Sequence, residues 1–193
     1  MRDNVRNFIQ DVSRLLVVQE PIVEIGSYQV PGQEGYADLK PFFTGKAFIG
    51  CDMRSGPGVD RVENVHNLTF PSASIGTVLT ADTLEHVKHP YQALSEIHRV
   101  LSPTGMVVVV SVMNCEIHDY PNDYWRFTPQ AFLALLGDFA YRLVGYQGFQ
   151  IFPHTVLGLG FKSVPDLAVL QLFAEYQRTQ RGVVFEDSSR QLI

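Results

Sequence analysis

Within the ten residues 118–127 the chain places a histidine, two aspartates, two tyrosines, a tryptophan and an arginine. Such a stretch can move a proton (His118, Asp119), stack on or wall in a ligand (Tyr120, Tyr124, Trp125) and fix a polar or anionic end (Arg126). Loops of this makeup carry specificity when a rigid scaffold positions them. The same residues can also form a corner held by an Asp123–Arg126 ion pair, and the two readings are compatible. A second chemistry-bearing set lies upstream. Glu24 precedes the turn Gly26-Ser27, and Asp52 ends the next apolar run, 20 residues after Gly32. A glycine turn lets backbone approach a ligand closely, and a carboxylate at the end of the neighbouring strand accepts both protons of a vicinal diol. Met53 beside it offers a polarizable apolar surface.

The elements that must position these groups are legible as hydrophobic periods. Val5, Phe8, Ile9, Val12, Leu15 and Leu16 recur at three- and four-residue steps and predict a helix over residues 4–17. Short apolar runs at 22–25, 47–51, 75–80 and 106–112 read as buried strands, and 61–65 as a short polar-interleaved one. His89-Pro90 opens a helix whose apolar face runs from Tyr91 to Leu101, ended by Ser102-Pro103-Thr104-Gly105. Strands alternating with helices imply an α/β, doubly wound, mostly parallel sheet. A short helix at 132–136 follows Thr128-Pro129. The runs 141–152 and 155–162, separated by Pro153-His154, have no room for a helix between them and must pair antiparallel. A last helix covers 165–178, and the tail from Gly182 is read as mobile. Residues 26–46 read as a loop with an irregular or short helix.

Composition narrows the function classes. The 193 residues fit a single domain, with an N-terminal helix (1–19), a sheet core (20–164), a C-terminal helix (165–181) and a tail (182–193). A net charge of −5 argues against a nucleic-acid groove. No apolar run is long enough for a membrane span. Cys51 and Cys115 read as reduced thiols, which points to a cytoplasmic protein. The histidines are scattered along the chain, and Asp119 with Asp123 alone does not make a metal site, so no metal is implied.

From Val65 to Val110 the sequence resembles the class I S-adenosylmethionine-dependent methyltransferases often called type 11. Asn67-Leu68-Thr69-Phe70-Pro71 resembles that family's D-L-P-F-P, and Asp82-Thr83-Leu84-Glu85-His86-Val87 its E-V-L-H-H-V. The stretch from Ala93 through Glu96-Ile97-His98-Arg99-Val100-Leu101 to Gly105 resembles A-L-x-E-I-x-R-V-L-K-P-G-G, the most specific of the three. Glu24-Ile25-Gly26 resembles the acid and first glycine of the family's first motif, while Tyr28 and Val30 stand where its later glycines fall. The resemblance implies a seven-stranded sheet whose last two strands form an antiparallel hairpin, and S-adenosylmethionine as cofactor. It places Glu24 near the methionine end of the cofactor, Gly26, Ser27 and Tyr28 along it, Asp52 on the ribose hydroxyls and Met53 on the adenine. Asn64 and Val65 would meet the adenine edge, and Thr80 and Ala81 the crevice at the strand end. The expected reaction is methyl transfer to a small-molecule or saccharide-type acceptor, with His118 or Asp119 as the base. Tyr120, Tyr124, Trp125 and Arg126 would bind the acceptor. The missing glycines leave open a catalytically silent, methyltransferase-like binding module. His86 reads either as a base or as a loop-orienting group.

Overall fold

The computed structural model describes residues 1–32, 34–118 and 122–186, so Asp119 and Tyr120 lie outside the described residues. The strands are β1 (Ile22–Ile25), β2 (Phe48–Asp52), β3 (Arg61–Val62), β4 (Ile75–Ala81), β5 (Leu101–Val112), β6 (Tyr141–Phe149), β7 (Phe152–Phe161) and β8 (Val183–Phe185). The helices are α1 (Asp3–Leu15), α2 (Pro90–Val100), α3 (Pro129–Leu135) and α4 (Leu167–Tyr176). All eight strands form one sheet in the order β3-β2-β1-β4-β5-β7-β6-β8. From β3 to β5 the pairing is parallel, and β7 pairs antiparallel with both β5 and β6.

The expected architecture is present with one strand more. Val183–Phe185 pairs antiparallel with β6 at Gly145, Tyr146 and Gln147, so the tail read as mobile begins with an edge strand. Gly182, in the left-handed conformation at φ 65°, turns the chain back after a π-helical turn over Gln177–Arg181. That turn is anchored by Asp11 in α1, whose buried carboxylate accepts from Gln177 Nε2 at 2.9 Å and Arg181 Nε at 2.7 Å. Two boundaries also shift. The β6–β7 reversal falls at Gln150-Ile151 rather than Pro153-His154, because a register shift beside Gly148 lets β7 accommodate the proline. The segment Ser102–Gly105, expected as a turn, is carried inside β5, where the register slips between the Ile75–Leu101 and Thr77–Met106 pairs.

Alternation along the strands divides the core in two. Val23, Ile25, Val78, Val107 and Val109 face α2 and α3. Ile22, Leu79, Val108 and Val110 face α1 and α4, where Phe8 meets Phe173 edge to face. The continuous valines of β5 are therefore covered on both sides, as a central strand requires. Among the described residues no helix is long and apolar enough to cross a membrane.

Candidate active site

β1 lies between β2 and β4, where the sheet order reverses, so a crevice opens at the carboxyl ends of these strands. A cleft of about 500 Å³ occupies it, within the range of small-molecule sites. Gly26, Ser27, Tyr28, Asp52, Met53, Asn64, Val65, Ala81, His118 and Tyr124 all border it, and so do Glu85 and His86. Residues distant in sequence are thus gathered at one place.

The turn after β1 is built tightly. Gly26 has φ 91°, and a Cβ there would lie 2.8 Å from Thr83 Cγ2 and closer still to its hydroxyl. The Thr83 hydroxyl donates to the Ile25 and Ala81 carbonyls, locking the ends of β1 and β4 together. Gly26 N–H and Ser27 N–H donate to the Cys51 carbonyl at 2.8 and 3.0 Å, tying the same turn to β2. Asp52 Oδ1 accepts from Arg54 N–H at 3.0 Å, and Oδ2 accepts a long bond from Tyr28 N–H at 3.4 Å. The Tyr28 ring packs beside Gly56, whose Cβ would meet its Cδ2 at 3.1 Å, and under the Arg54 guanidinium, 4.3 Å from the ring centroid. The bulk that replaces a family glycine is therefore seated on the loop after β2, still bordering the cleft.

Two predicted cofactor residues do not border it. Glu24 shares the face of Ile22, towards α1, because side chains alternate along the strand. Burial, followed by the nearby Asp38, pushes its carboxyl up to about 8, so it is held neutral at neutral pH. Thr80 is fully buried within β4, its hydroxyl without a partner among the described residues. Neither reaches the crevice in this conformation.

The loop after β5 is divided in the same way. Tyr124 borders the cleft, whereas Trp125 and Arg126 do not. Trp125 Nε1 donates to the Val87 carbonyl at 2.9 Å. Arg126 is a strut: its guanidinium donates to the carbonyls of Cys115, Glu116 and Trp125 and grips both oxygens of Asp123. All five donors are committed, which leaves none for an anionic ligand. The Asp123 side chain is 2% exposed, and the guanidinium holds its carboxyl well below the usual carboxylate range. Its Oδ2 also accepts from His118 N–H at 2.9 Å and so fixes the position of that histidine. The corner reading of the loop thus describes Arg126 and Trp125, while His118 and Tyr124 stay at the cleft.

Glu85 was not singled out by sequence reasoning. It lies within the quoted stretch 82–87, but only the fold shows that its carboxylate is fully buried at the cleft. Ser111 Oγ donates to Oε2 at 2.6 Å while Oε1 has no partner among the described residues. Burial, followed by the charge of Asp82, raises its carboxyl to about 7. Its main-chain carbonyl accepts from Tyr124 N–H at 2.8 Å and Trp125 N–H at 3.2 Å, so the loops after β4 and β5 are laced together. Arg2 was also missed. It pairs with Asp82 at 3.0 Å, bringing the start of α1 over one side of the cleft.

S-adenosylmethionine fits these residues. The Gly26-Ser27 turn lines the cleft, the buried Ser27 hydroxyl has no partner among the described residues, and Met53, 63% exposed, flanks Asp52 at the cleft edge. Asp52 Oδ1 accepts from both the N–H and Nε of Arg54, at 3.0 and 3.3 Å, while Oδ2 accepts only the long bond from Tyr28 N–H and keeps capacity for a ribose hydroxyl.

The comparisons agree with this geometry. A family model described as a methyltransferase domain matches residues 47–109, from β2 into β5. No curated protein matches the sequence. Among solved structures, an S-adenosylmethionine-dependent methyltransferase of Thermotoga maritima is similar over 82% of this chain and 92% of its own, at 18% identity and TM-score 0.61. One from Archaeoglobus fulgidus is similar over 83% and 94%, at 11% identity and TM-score 0.64. The YcgJ protein of Bacillus subtilis is similar over 85% and 100%, at 12% identity and TM-score 0.61. At these identities the neighbours speak for the fold alone, and the family model speaks for the matched segment, about a third of the chain. Residues 47–109 thus match a methyltransferase domain, and the chain shares the fold of S-adenosylmethionine-dependent methyltransferases.

Proposed function

We propose that the enzyme methylates a hydroxyl of a small polar or saccharide-type acceptor, bound at the end of the cleft formed by His86, His118 and Tyr124. The observation that carries this reading is the pair of imidazoles bordering the cleft, with ring centroids 4.9 Å apart. His86 Nδ1 lies 2.7 Å from the Asn122 carbonyl, and His118 Nδ1 3.1 Å from the Glu116 carbonyl. A carbonyl can only accept, so each Nδ1 carries the ring proton when the imidazole is neutral, and each Nε2 keeps its lone pair. A lone pair of that kind can take the proton of an acceptor hydroxyl.

When bound, S-adenosylmethionine supplies a methyl group activated by a sulfonium. Asp52 would hold its ribose, with Gly26 and Ser27 presenting backbone and Met53, Asn64 and Val65 bordering the adenine. The protein then has to align the acceptor oxygen, exclude water and accept one proton at Nε2 of His118. Tyr124 supplies a flat wall for a compact, hydroxyl-rich ligand. The apolar faces of a sugar ring suit such a wall.

A panel of sugars and hydroxylated small molecules, assayed for transfer of label from methyl-labelled S-adenosylmethionine, tests the reading. His118→Ala should lower turnover of the best acceptor about 10²-fold or more, the range for loss of a general base. Its affinity for S-adenosylmethionine should stay at the wild-type value, because His118 contacts the acceptor. Transfer only to amines or carbon acids, or His118→Ala turning over at the wild-type rate, would refute it.

A further inference from the structure

The loops after β4 and β5 bring Glu85, His86 and His118 together, with one ligand atom from each lying within 4.8 Å of the others. We infer that these three side chains form a binding site for a divalent transition-metal ion such as Zn²⁺ at the acceptor end of the cleft. Two imidazoles and one carboxylate are a donor set that suits such ions and leaves positions open for an exchangeable ligand.

Three independent features point to a ligand. Glu85 borders the cleft, and its buried Oε1 has no hydrogen-bond partner among the described residues, whereas its other oxygen is satisfied by Ser111. An unpartnered buried carboxylate oxygen is costly unless something binds it. Both histidines direct Nδ1 to carbonyl groups of the loop, His86 to Asn122 and His118 to Glu116, with the Asp123 carboxylate 3.4 Å from His118 Nδ1. This is the outer arrangement that fixes tautomer and ring orientation in metal-binding histidines and leaves Nε2 to coordinate. Finally, the ligands come from two loops laced by main-chain bonds between the Glu85 carbonyl and the amides of Tyr124 and Trp125. The site is therefore supported by scaffold rather than by one mobile segment.

A tetrahedral ion with bonds of 2.0–2.1 Å needs its donor atoms roughly 3.3 Å apart, so the cluster must contract slightly on binding. His118, whose side chain is 32% exposed, has room to turn inward about its side-chain torsions. An ion held there would occupy the His118 Nε2 lone pair, coordinate the acceptor hydroxyl and lower its pKa, so that the hydroxyl proton would pass to solvent water rather than to His118. That consequence rests on the proposed hydroxyl acceptor; the binding of the ion does not.

The test uses the full chain, stripped with a chelator and titrated with Zn²⁺ by calorimetry, with Co²⁺ as a spectroscopic probe. We expect one equivalent of Zn²⁺ per chain, and visible Co²⁺ bands of a nitrogen–oxygen site without a thiolate charge-transfer band. His86→Ala, His118→Ala and Glu85→Gln should each weaken binding tenfold or more, whereas His66→Ala and Cys115→Ser should bind as the wild type does. Absence of saturable binding, binding that survives both histidine changes, or a thiolate band lost in Cys115→Ser would overturn the inference. Since Co²⁺ is read on the unsubstituted protein, misfolding of a variant does not blur the outcome. S-adenosylmethionine binding and methyl transfer that persist without any Zn²⁺ binding would sink the metal site and leave the hydroxyl reading standing. Zn²⁺ binding without transfer to any hydroxyl would do the reverse.

Discussion

Gly26→Ala is expected to abolish measurable S-adenosylmethionine binding and to lower the melting temperature at the same time. Position 26 has φ 91°, a conformation that costs a side-chain-bearing residue about 1–2 kcal/mol. The added methyl also meets Thr83, whose hydroxyl is engaged with the Ile25 and Ala81 carbonyls and cannot retreat without releasing both. Overpacking of this kind costs roughly 1–3 kcal/mol. The sum, about 2–5 kcal/mol, corresponds to roughly 4–20 °C in a domain of this size. Any relaxation must move the turn that carries Ser27 and Tyr28, so the cofactor wall shifts with it. Thr83→Ala alone should be mild, and in the double variant it should restore little, because the backbone conformation remains strained. Differential scanning calorimetry with and without S-adenosylmethionine reads both effects. A variant that melts with the wild type and still binds the cofactor would show that the Gly26 turn is not part of the site.

Arg126→Ala should be the most destabilising single change in the loop after β5. Removing the guanidinium strands the Asp123 carboxylate, 2% exposed, and frees the carbonyls of Cys115, Glu116 and Trp125. Breaking a buried pair from one side costs roughly 3 kcal/mol or more, and the lower end applies because Arg126 itself is a quarter exposed. That is about 6–12 °C in melting temperature. Arg126→Lys should recover little, since a point charge cannot hold two carboxylate oxygens and three carbonyls in one plane. Because Asp123 also holds the His118 amide, turnover should fall further than cofactor affinity. Equal losses in Arg126→Ala and in an exposed control such as Arg178→Ala would contradict the strut.

The parts of this site that were legible in the sequence are local. The acid–glycine turn and Asp52 at the next strand end each sit within one element and its cap, so spacing locates them, while the stretch 93–105, outside the cleft, is legible only as a resemblance to a family motif. What was not legible depends on how elements face one another. Glu24 and Ile25 are adjacent in sequence, yet Ile25 borders the cleft and Glu24 does not, because the strand alternates its faces. Arg126 looks like a ligand-binding residue until its five donors are counted against the carbonyls of its own loop. The histidines looked scattered because His86 and His118 are 32 residues apart, and only the pairing of β4 with β5 brings their loops together. β8 is three residues long, too short for a periodic signal, and is defined by its pairing with β6.

The claim on which the rest stands is that the crevice beside Asp52 holds S-adenosylmethionine. Calorimetric titration of the wild type, Asp52→Asn and Asp52→Ala with S-adenosylmethionine and S-adenosylhomocysteine tests it directly. The account predicts one equivalent of either ligand per chain. Asp52→Ala should weaken S-adenosylmethionine by about 1.5–3 kcal/mol, roughly ten- to a hundredfold in Kd, with Asp52→Asn between the two. A folded wild-type protein that binds neither ligand, or three proteins that bind both with the same affinity, would contradict it.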